Sequence, residues 1–433
     1  MKQTFLQPAT QESNWSTVKL DVNDSELFYR NLIGWGKGLK TFFAFDSAGY
    51  TNNSLNRFEW LIMAEEYRKV TAEEFLIRPI GKLGDWIGFL VSYDFKNLLH
   101  HQEIIKNDLL QTDLAYFFEP VWVFYKQNGV LYADYRSEYR EDFIRLLREL
   151  NNSCPPTLLR SLMPEFKPLT DKTQYLSNFE KLLWHLYRGD IYEVNYCVFY
   201  LSDGNFDYHA LWSEQLSKSS GPMGGVFKTG DISVISKSPE RFLVYRNGRL
   251  YSQPIKGTIK RGRDHKEDEQ LRAKLNTSKK ERSENVMIVD LVRNDLSRIC
   301  EIGSVKVDEL FGIYTFPMVH QMVSTVSGVP RDNLHLHDVM KALFPMGSMT
   351  GAPKISAMKI IQSVETHNRG YYSGSAGYIA PDGEMDSNVI IRSIVSDQAS
   401  GKAYIGVGSA VTIYTNGEDE YNECLLKLNS VLS

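Results

Sequence analysis

One lysine and two pairs of glutamates have types and spacings from which chemistry can be argued. Lys256 stands in Gln253-Pro254-Ile255-Lys256-Gly257-Thr258, where proline fixes φ just before it and glycine just after it lifts the Cβ restriction. A lysine framed in this way is held in place, which a nucleophile needs and a solvated surface lysine does not. The amine attacks only when neutral, and at an ordinary pKa near 10.4 about one lysine in a few thousand is neutral at pH 7. Lowering that pKa by roughly three units costs about 4 kcal/mol. A nucleophilic Lys256 is therefore expected to have a depressed pKa, with Lys260 and Arg261 helping by repulsion. Taken alone, the segment also reads as an ordinary loop lysine. Glu281 and Glu284 lie three apart at the start of a predicted helix, and Glu420 and Glu423 repeat that spacing in the last one. Residues three apart share a helix face. Each pair alone reads as a solvated face, but two such helices meeting would converge four carboxylates, a set suited to a hard divalent cation. Magnesium keeps several waters, so two direct and two water-bridged carboxylates suffice.

The elements that must position these groups are strands and helices in mixed order. Strands are predicted over Glu193–Leu201, in at least three runs between Gly225 and Ile255, in two runs ending at Gly328, and over Gly374–Ile379, Asn388–Val395 and Tyr404–Ile413. Helices are predicted over Ser177–Tyr187, Lys266–Lys280, Glu284–Ile299, His337–Leu343, Ala352–Val364 and Glu418–Leu432. Earlier in the chain, Gln127-Asn128-Gly129 reads as a hairpin turn and Glu138–Leu150 as an amphipathic helix. The stretch from Asn151 to Thr170 interrupts the pattern and is the best linker candidate, dividing residues 1–165 from 166–433. Many hairpins without strict βαβ alternation point to an α+β fold of layered antiparallel sheets with external helices.

Composition narrows the class. Hydrophobic residues at 42% and charged residues at 24% of 433 are those of a globular protein with a sizeable core. A net charge of −4 with no sustained basic field argues against nucleic acid as a partner. Cys154, Cys197, Cys300 and Cys424 show no metal or redox spacing, so a reducing compartment is expected. Met1–Trp15 lacks the apolar core of a signal peptide, and runs such as Trp86–Val91 are too short for a bilayer. The expectation is a cytoplasmic protein without a membrane segment.

Two longer stretches, Glu284-Asn285-Val286-Met287-Ile288-Val289-Asp290-Leu291-Val292-Arg293-Asn294-Asp295-Leu296 and Phe344-Pro345-Met346-Gly347-Ser348-Met349-Thr350-Gly351-Ala352-Pro353-Lys354, follow the lysine segment. In this order they resemble the signature segments of the chorismate-utilising enzymes. Within that family, anthranilate synthases carry alanine at the position of Lys256. The aminodeoxychorismate synthase component I group, of the para-aminobenzoate branch of folate synthesis, commonly carries Pro-Ile-Lys-Gly-Thr, and the similarity here is to that group. It covers roughly the last 260 residues; the first part of the chain matches far less distinctly. The resemblance implies a large two-sheet antiparallel β-sandwich flanked by helices, of the anthranilate synthase component I type, in which N- and C-terminal portions interleave.

It further implies roles for individual residues. Glu284 and Glu423 correspond to direct Mg²⁺ ligands and Glu281 and Glu420 to the outer shell. Glu240, in Ser238-Pro239-Glu240-Arg241, corresponds to the general acid/base, which burial among anions would keep protonated. His320 is expected to face the C4 hydroxyl of chorismate; without the resemblance it reads as a core histidine. Tyr372 and Arg392 are expected on the enolpyruvyl carboxylate, Arg392 through its guanidinium fork. Ser348 lies in a glycine-rich turn before a helix, a place for N–H groups to meet an anion, although no Gly-Lys-Ser/Thr ending makes it a nucleotide loop. Gly408, Ser409 and Ala410 align with a glycine run that meets the ring carboxylate through backbone amides, and Lys427 is placed with these substrate-binding groups. Glu193 departs from the family, whose amine-using members usually have glutamine there and whose isochorismate and salicylate synthases have a lysine base. The implied reaction is amination of chorismate through a Lys256 adduct, with ammonia from a separate glutamine amidotransferase subunit. Anthranilate synthase and a non-catalytic chorismate-binding subunit are the alternatives.

Overall fold

The computed structural model describes residues 14–47, 49–50, 55–82, 84–101, 108–152, 163–203, 211, 221–316 and 319–432. Half of the proposed linker, residues 153–162 with Cys154, and most of the Met1–Trp15 segment lie outside these residues. Within the described residues, twenty strands join by antiparallel pairing into one continuous hydrogen-bonded network. From one end, pairing runs from Glu193–Asp203 to Lys402–Val411, Ser393–Asp397, Ile232–Ser236, Gly224–Thr229, Thr41–Asp46, Trp60–Val70 and Ala115–Gln127. It continues through Ile87–Val91, Ser375–Ile379, Met385–Asn388, Arg241–Arg246, Arg249–Gln253 and Val319–Gly328 to Ile255–Lys260. Strands from the first part of the chain thus sit in the middle of the network, between strands contributed by the rest.

Side chains alternate across the strands, and both faces are buried. Phe43, Leu61 and Met63 enter one core with Phe89, Phe118, Phe227 and Tyr378. Their neighbours Phe42, Ala44, Trp60, Ile62 and Ala64 enter a second core with helix residues Phe28, Phe143, Phe179, Ala357 and Leu428. Phe45 and Tyr378, on strands that are not paired to each other, meet edge to face at 5.6 Å, so the network folds back and closes the first core between two layers. The antiparallel layers with flanking helices agree with the expected fold class.

Local signals set the ends of the helices that matter. Ser278 caps the helix Lys279–Ser297, its hydroxyl accepting from the Glu281 amide. The acidic residues of the last helix, Gly417–Leu432, likewise fall in its first turns, where the helix dipole favours negative charge. The glycine-rich turn is a short 3₁₀ turn, Gly347–Met349, followed by the helix Lys354–Val364. Lys354 anchors that helix through a buried 2.5 Å ion pair with Asp295 and a bond to the Leu343 carbonyl.

One predicted strand is two. Asn388–Val395 is broken between Met385–Asn388 and Ser393–Asp397, because these pieces pair with different parts of the network and the chain crosses over at residues 389–392. Apolar periodicity hides the crossing, since Val389 and Ile390 are buried throughout it.

Candidate active site

The two ends of the strand network meet at Lys256. Its strand carries an extra residue against Val319–Gly328: Ile255 opposes Val323 and Thr258 opposes Gln321, leaving Lys256 and Gly257 in a bulge. Such a bulge re-aims a side chain, and Gly257 adopts φ +94°, which glycine alone takes without strain. A Cβ on Gly257 would also stand 3.0 Å from a Glu281 carboxylate oxygen, so glycine lets the acidic helix approach. The Lys256 ammonium donates to Glu193 Oε1 at 2.8 Å across the junction, with side chains only 12% and 3% exposed.

Lys256 is not depressed in pKa. Burial pushes it down, but the carboxylates of Glu193, Glu284 and Glu423 outweigh burial and hold it above its ordinary value. The expectation considered only the cations nearby in sequence, and folding surrounds the amine with acids instead.

Glu240 is buried, and burial pushes its carboxyl from 4.5 up to about 7, against the opposing pull of the Ser348 hydrogen bond and the Lys256 charge. Ser348 donates its hydroxyl to Glu240 Oε1 at 2.7 Å. The amides of Met349 and Thr350 are used within their own turn, so this loop serves the site through the Ser348 side chain. A carboxyl of this pKa beside a lysine can give and recover a proton near neutrality.

The glutamate-bearing helices face each other. Lys280 Nζ lies 3.9 Å from both Glu284 Oε1 and Glu420 Oε1, bridging the two helices. Burial, then Glu423, raises Glu420 to about 7, and burial also raises Glu281 and Glu284. Glu423 is held low despite burial, chiefly by Lys427, which reaches it at 2.7 Å. Among the described residues no three His, Cys, Asp or Glu side chains are drawn together tightly enough to hold a metal as they stand. Like-charge repulsion spreads the carboxylates, and Lys280 and Lys427 take up their charge. The donor set is nevertheless all carboxylate oxygen, in excess over its cations and already bridged by a positive charge, and it fits a hard divalent ion.

The substrate-binding candidates line the strand Lys402–Val411 and the crossover beside it. Past Ile405 this strand pairs, among the described residues, only with Glu193–Asp203, which leaves its other edge open. Lys427 donates to the Gly408 carbonyl there at 2.7 Å. A residue's N–H and C=O point the same way in an antiparallel strand, so Gly408 and Ala410 turn their amides to that open edge. Ser409 faces the other way, near the Tyr175 hydroxyl at 3.3 Å and beside Glu420, and so supports a metal-type glutamate. Arg392 takes φ +52° in the crossover; its guanidinium donates to Ser430 at 3.0 Å and makes no ion pair among the described residues. Burial lowers its pKa, with Tyr372 and Glu423 acting against that. Tyr372 is buried against Gly406 and edge-on to Phe199 at 6.0 Å.

His320 is not drawn into this group. It is fully buried, Nε2 donating to Asp268 at 3.0 Å and Nδ1 accepting from Thr315 at 2.9 Å. Asp268 is itself gripped twice by Arg261, so the imidazole is a tie in a neighbouring cluster.

Three contributors were not singled out from sequence. Asn195 donates to the Ser348 carbonyl at 2.8 Å. Arg369, 1% exposed, donates to the carbonyls of Met349 and Asn195 and pairs with Glu365, fixing the Ser348 turn to the Glu193 strand. Lys280 is the third. A polar Asn195 inside an apolar strand was the only visible signal; the other two have no local mark.

Fold and site together define a class. The profile described as chorismate binding enzyme matches residues 38–433, and the chain belongs to that family. Solved structures of the same fold include anthranilate synthase component I from Streptococcus pneumoniae, with TM-score 0.73 and 21% identity over 100% of this chain and 95% of that one. The menaquinone-specific isochorismate synthase of Escherichia coli gives TM-score 0.74 at 16% identity, over 100% and 97%.

Among relatives with assigned activity the similarity is to aminodeoxychorismate synthases. Component 1 from Bacillus subtilis is 32% identical over 79% of this chain and 75% of that protein. Component 1 from Salmonella typhimurium is 38% identical over 60% of this chain, and the chloroplastic enzyme of Arabidopsis thaliana 37% over 70%. The match spans 57% and 34% of the length of those last two proteins.

Proposed function

We propose that this chain is the chorismate-aminating component of an aminodeoxychorismate synthase, converting chorismate and ammonia to 4-amino-4-deoxychorismate for para-aminobenzoate and folate synthesis. The observation that carries this reading is a buried Lys256 whose charge acts on the buried Glu240, with burial pushing that carboxyl up to about 7. In the reaction, Lys256 bonds to C2 of chorismate as the C4 hydroxyl leaves with the Glu240 proton as water. Ammonia then bonds to C4 and the C2–N bond to Lys256 breaks, so an amino group replaces the hydroxyl and the enolpyruvyl group stays. Arg392, unpaired by any acid among the described residues, and the open edge at Gly408 and Ala410 hold the carboxylates, with Tyr372 packed behind them. Both ring nitrogens of His320 are engaged, so the acid role falls to Glu240.

Mg²⁺ is the proposed cofactor: Glu284 and Glu423, with Glu281 and Glu420 beside them, would hold it, and when bound it would supply a positive charge for the ring carboxylate. Ammonia is proposed to come from a glutamine amidotransferase subunit, as the name component 1 of the relatives suggests. Buried free thiols at Cys197, Cys300 and Cys424 support a reducing compartment such as the cytoplasm. No helix among the described residues is long and apolar enough to cross a membrane.

The test is incubation of the pure protein with chorismate, Mg²⁺ and ammonium, with the product identified by mass and retention time. Aminodeoxychorismate is expected, and Lys256→Ala should abolish a chorismate-derived mass adduct on the protein. Anthranilate as product would refute the reading, and no turnover even with a glutaminase present would favour a binding subunit.

A further inference from the structure

Lys256 must be neutral to attack, yet it rests as an ammonium whose one hydrogen-bonded acid is Glu193. The other carboxylates that face it, Glu240, Glu281, Glu284 and Glu423, make no hydrogen bond to it among the described residues. Glu240 is committed to Ser348 and, in the reaction above, spends its proton on the leaving hydroxyl. Glu193 is itself rigidly set. Its strand end pairs with Gly351–Ala352, the Tyr192 amide donates to the Ala352 carbonyl at 2.7 Å and the Asn195 amide to that of Thr350 at 2.8 Å. Gly351 lies at φ +148°, and a Cβ there would run into the Glu193 carbonyl oxygen. The second oxygen of the Glu193 carboxylate is buried and has no hydrogen-bond partner among the described residues. The carboxylate that touches the amine thus has a second oxygen on which a proton can sit.

We propose that Glu193 takes the Lys256 proton, stores it while the amine is bonded to substrate, and returns it when the amine leaves. The inference rests on Lys256 being the attacking amine, and its protons balance. Transfer across the 2.8 Å contact turns the ion pair into a neutral amine and a neutral acid. The amine forms its bond to C2 while Glu240 protonates the departing hydroxyl. Ammonia adds at C4, the C2–N electron pair returns to Lys256, and the new ammonium gives one proton to Glu240. Glu193 then reprotonates Lys256, restoring the starting state. A glutamine at this place cannot accept the proton, which would have to go to water.

The experiment measures adduct formation in a single turnover without ammonium, by intact mass after acid quench, between pH 6 and 9. Wild type, Glu193→Gln and Glu193→Asp are compared in the full chain. Dividing each variant's rate by the wild-type rate removes the Glu240 limb, which all share. For Glu193→Gln the ratio is expected below about 0.1 at pH 7 and to climb by about tenfold per pH unit, as for an amine that must first lose its proton to solvent. For Glu193→Asp, which keeps the acceptor, it is expected to be independent of pH. A pH-independent ratio for Glu193→Gln, or an aspartate variant that climbs as the glutamine variant does, overturns the proposal. An adduct in wild type with either of those results leaves the reading of Lys256 standing, whereas no adduct in wild type overturns both.

Discussion

Replacing Glu240 by glutamine should make the protein more stable while stopping its chemistry. The side chain is buried, and its carboxyl rises from 4.5 to about 7 on folding, with burial the largest cause. An acid whose pKa is raised by folding binds its proton more tightly in the folded state. Its contribution is therefore fully present below pH 4.5 and is lost as pH rises through 7. The difference of about 2.5 units corresponds to roughly 3 kcal/mol of folding free energy lost between those limits. Glutamine has the same shape, never ionises, and its amide oxygen still accepts from the Ser348 hydroxyl. Urea unfolding of wild type and Glu240→Gln at pH 4.5 and pH 8.5 measures the difference, and every other titrating group cancels between the two proteins. The variant's advantage is expected to grow by about 3 kcal/mol from the lower pH to the higher, while ammonium-dependent turnover falls by about 10²–10⁴-fold. An advantage that does not change with pH would refute the argument that Glu240 is buried at a cost in order to hold a proton.

Two further outcomes test the substrate and metal assignments. Arg392→Gln removes a guanidinium that makes no ion pair among the described residues, so KM for chorismate should rise by about 10–100-fold, from the loss of roughly 1.5–3 kcal/mol of charge-assisted bonding; an unchanged KM would remove it from the site. Added Mg²⁺ should raise the unfolding midpoint of wild type, by about 2.7 kcal/mol at a hundred times its Kd, and EDTA should abolish turnover. Glu284→Gln and Glu423→Gln should both blunt the stabilisation, whereas an undiminished response would place the ion elsewhere.

Wherever the physics is local, the residues of this chain were enough. Three-residue spacing put Glu281 with Glu284, and Glu420 with Glu423, on helix faces, because the helical repeat is a property of the backbone. Proline and glycine around Lys256 announced a constrained backbone, and the structure makes it a bulge. Asn128-Gly129 marked a real turn for the same reason: both residues supply positive φ. The antiparallel layering followed from many hairpins without strict βαβ alternation.

What sequence could not decide was the company each group keeps. The pKa of Lys256 is set by Glu193, 63 residues away, and by glutamates on two helices, so its direction was reversed from the one that Lys260 and Arg261 suggested. Asp268 decides that His320 is a tie, Lys280 decides how the carboxylates share charge, and a crossing between distant strand pairs puts Arg392 outside a strand. Helix faces and turns depend on residues a few places apart, whereas Coulombic and desolvation energies depend on distance in space, and that distance exists only once the two ends of the strand network have met.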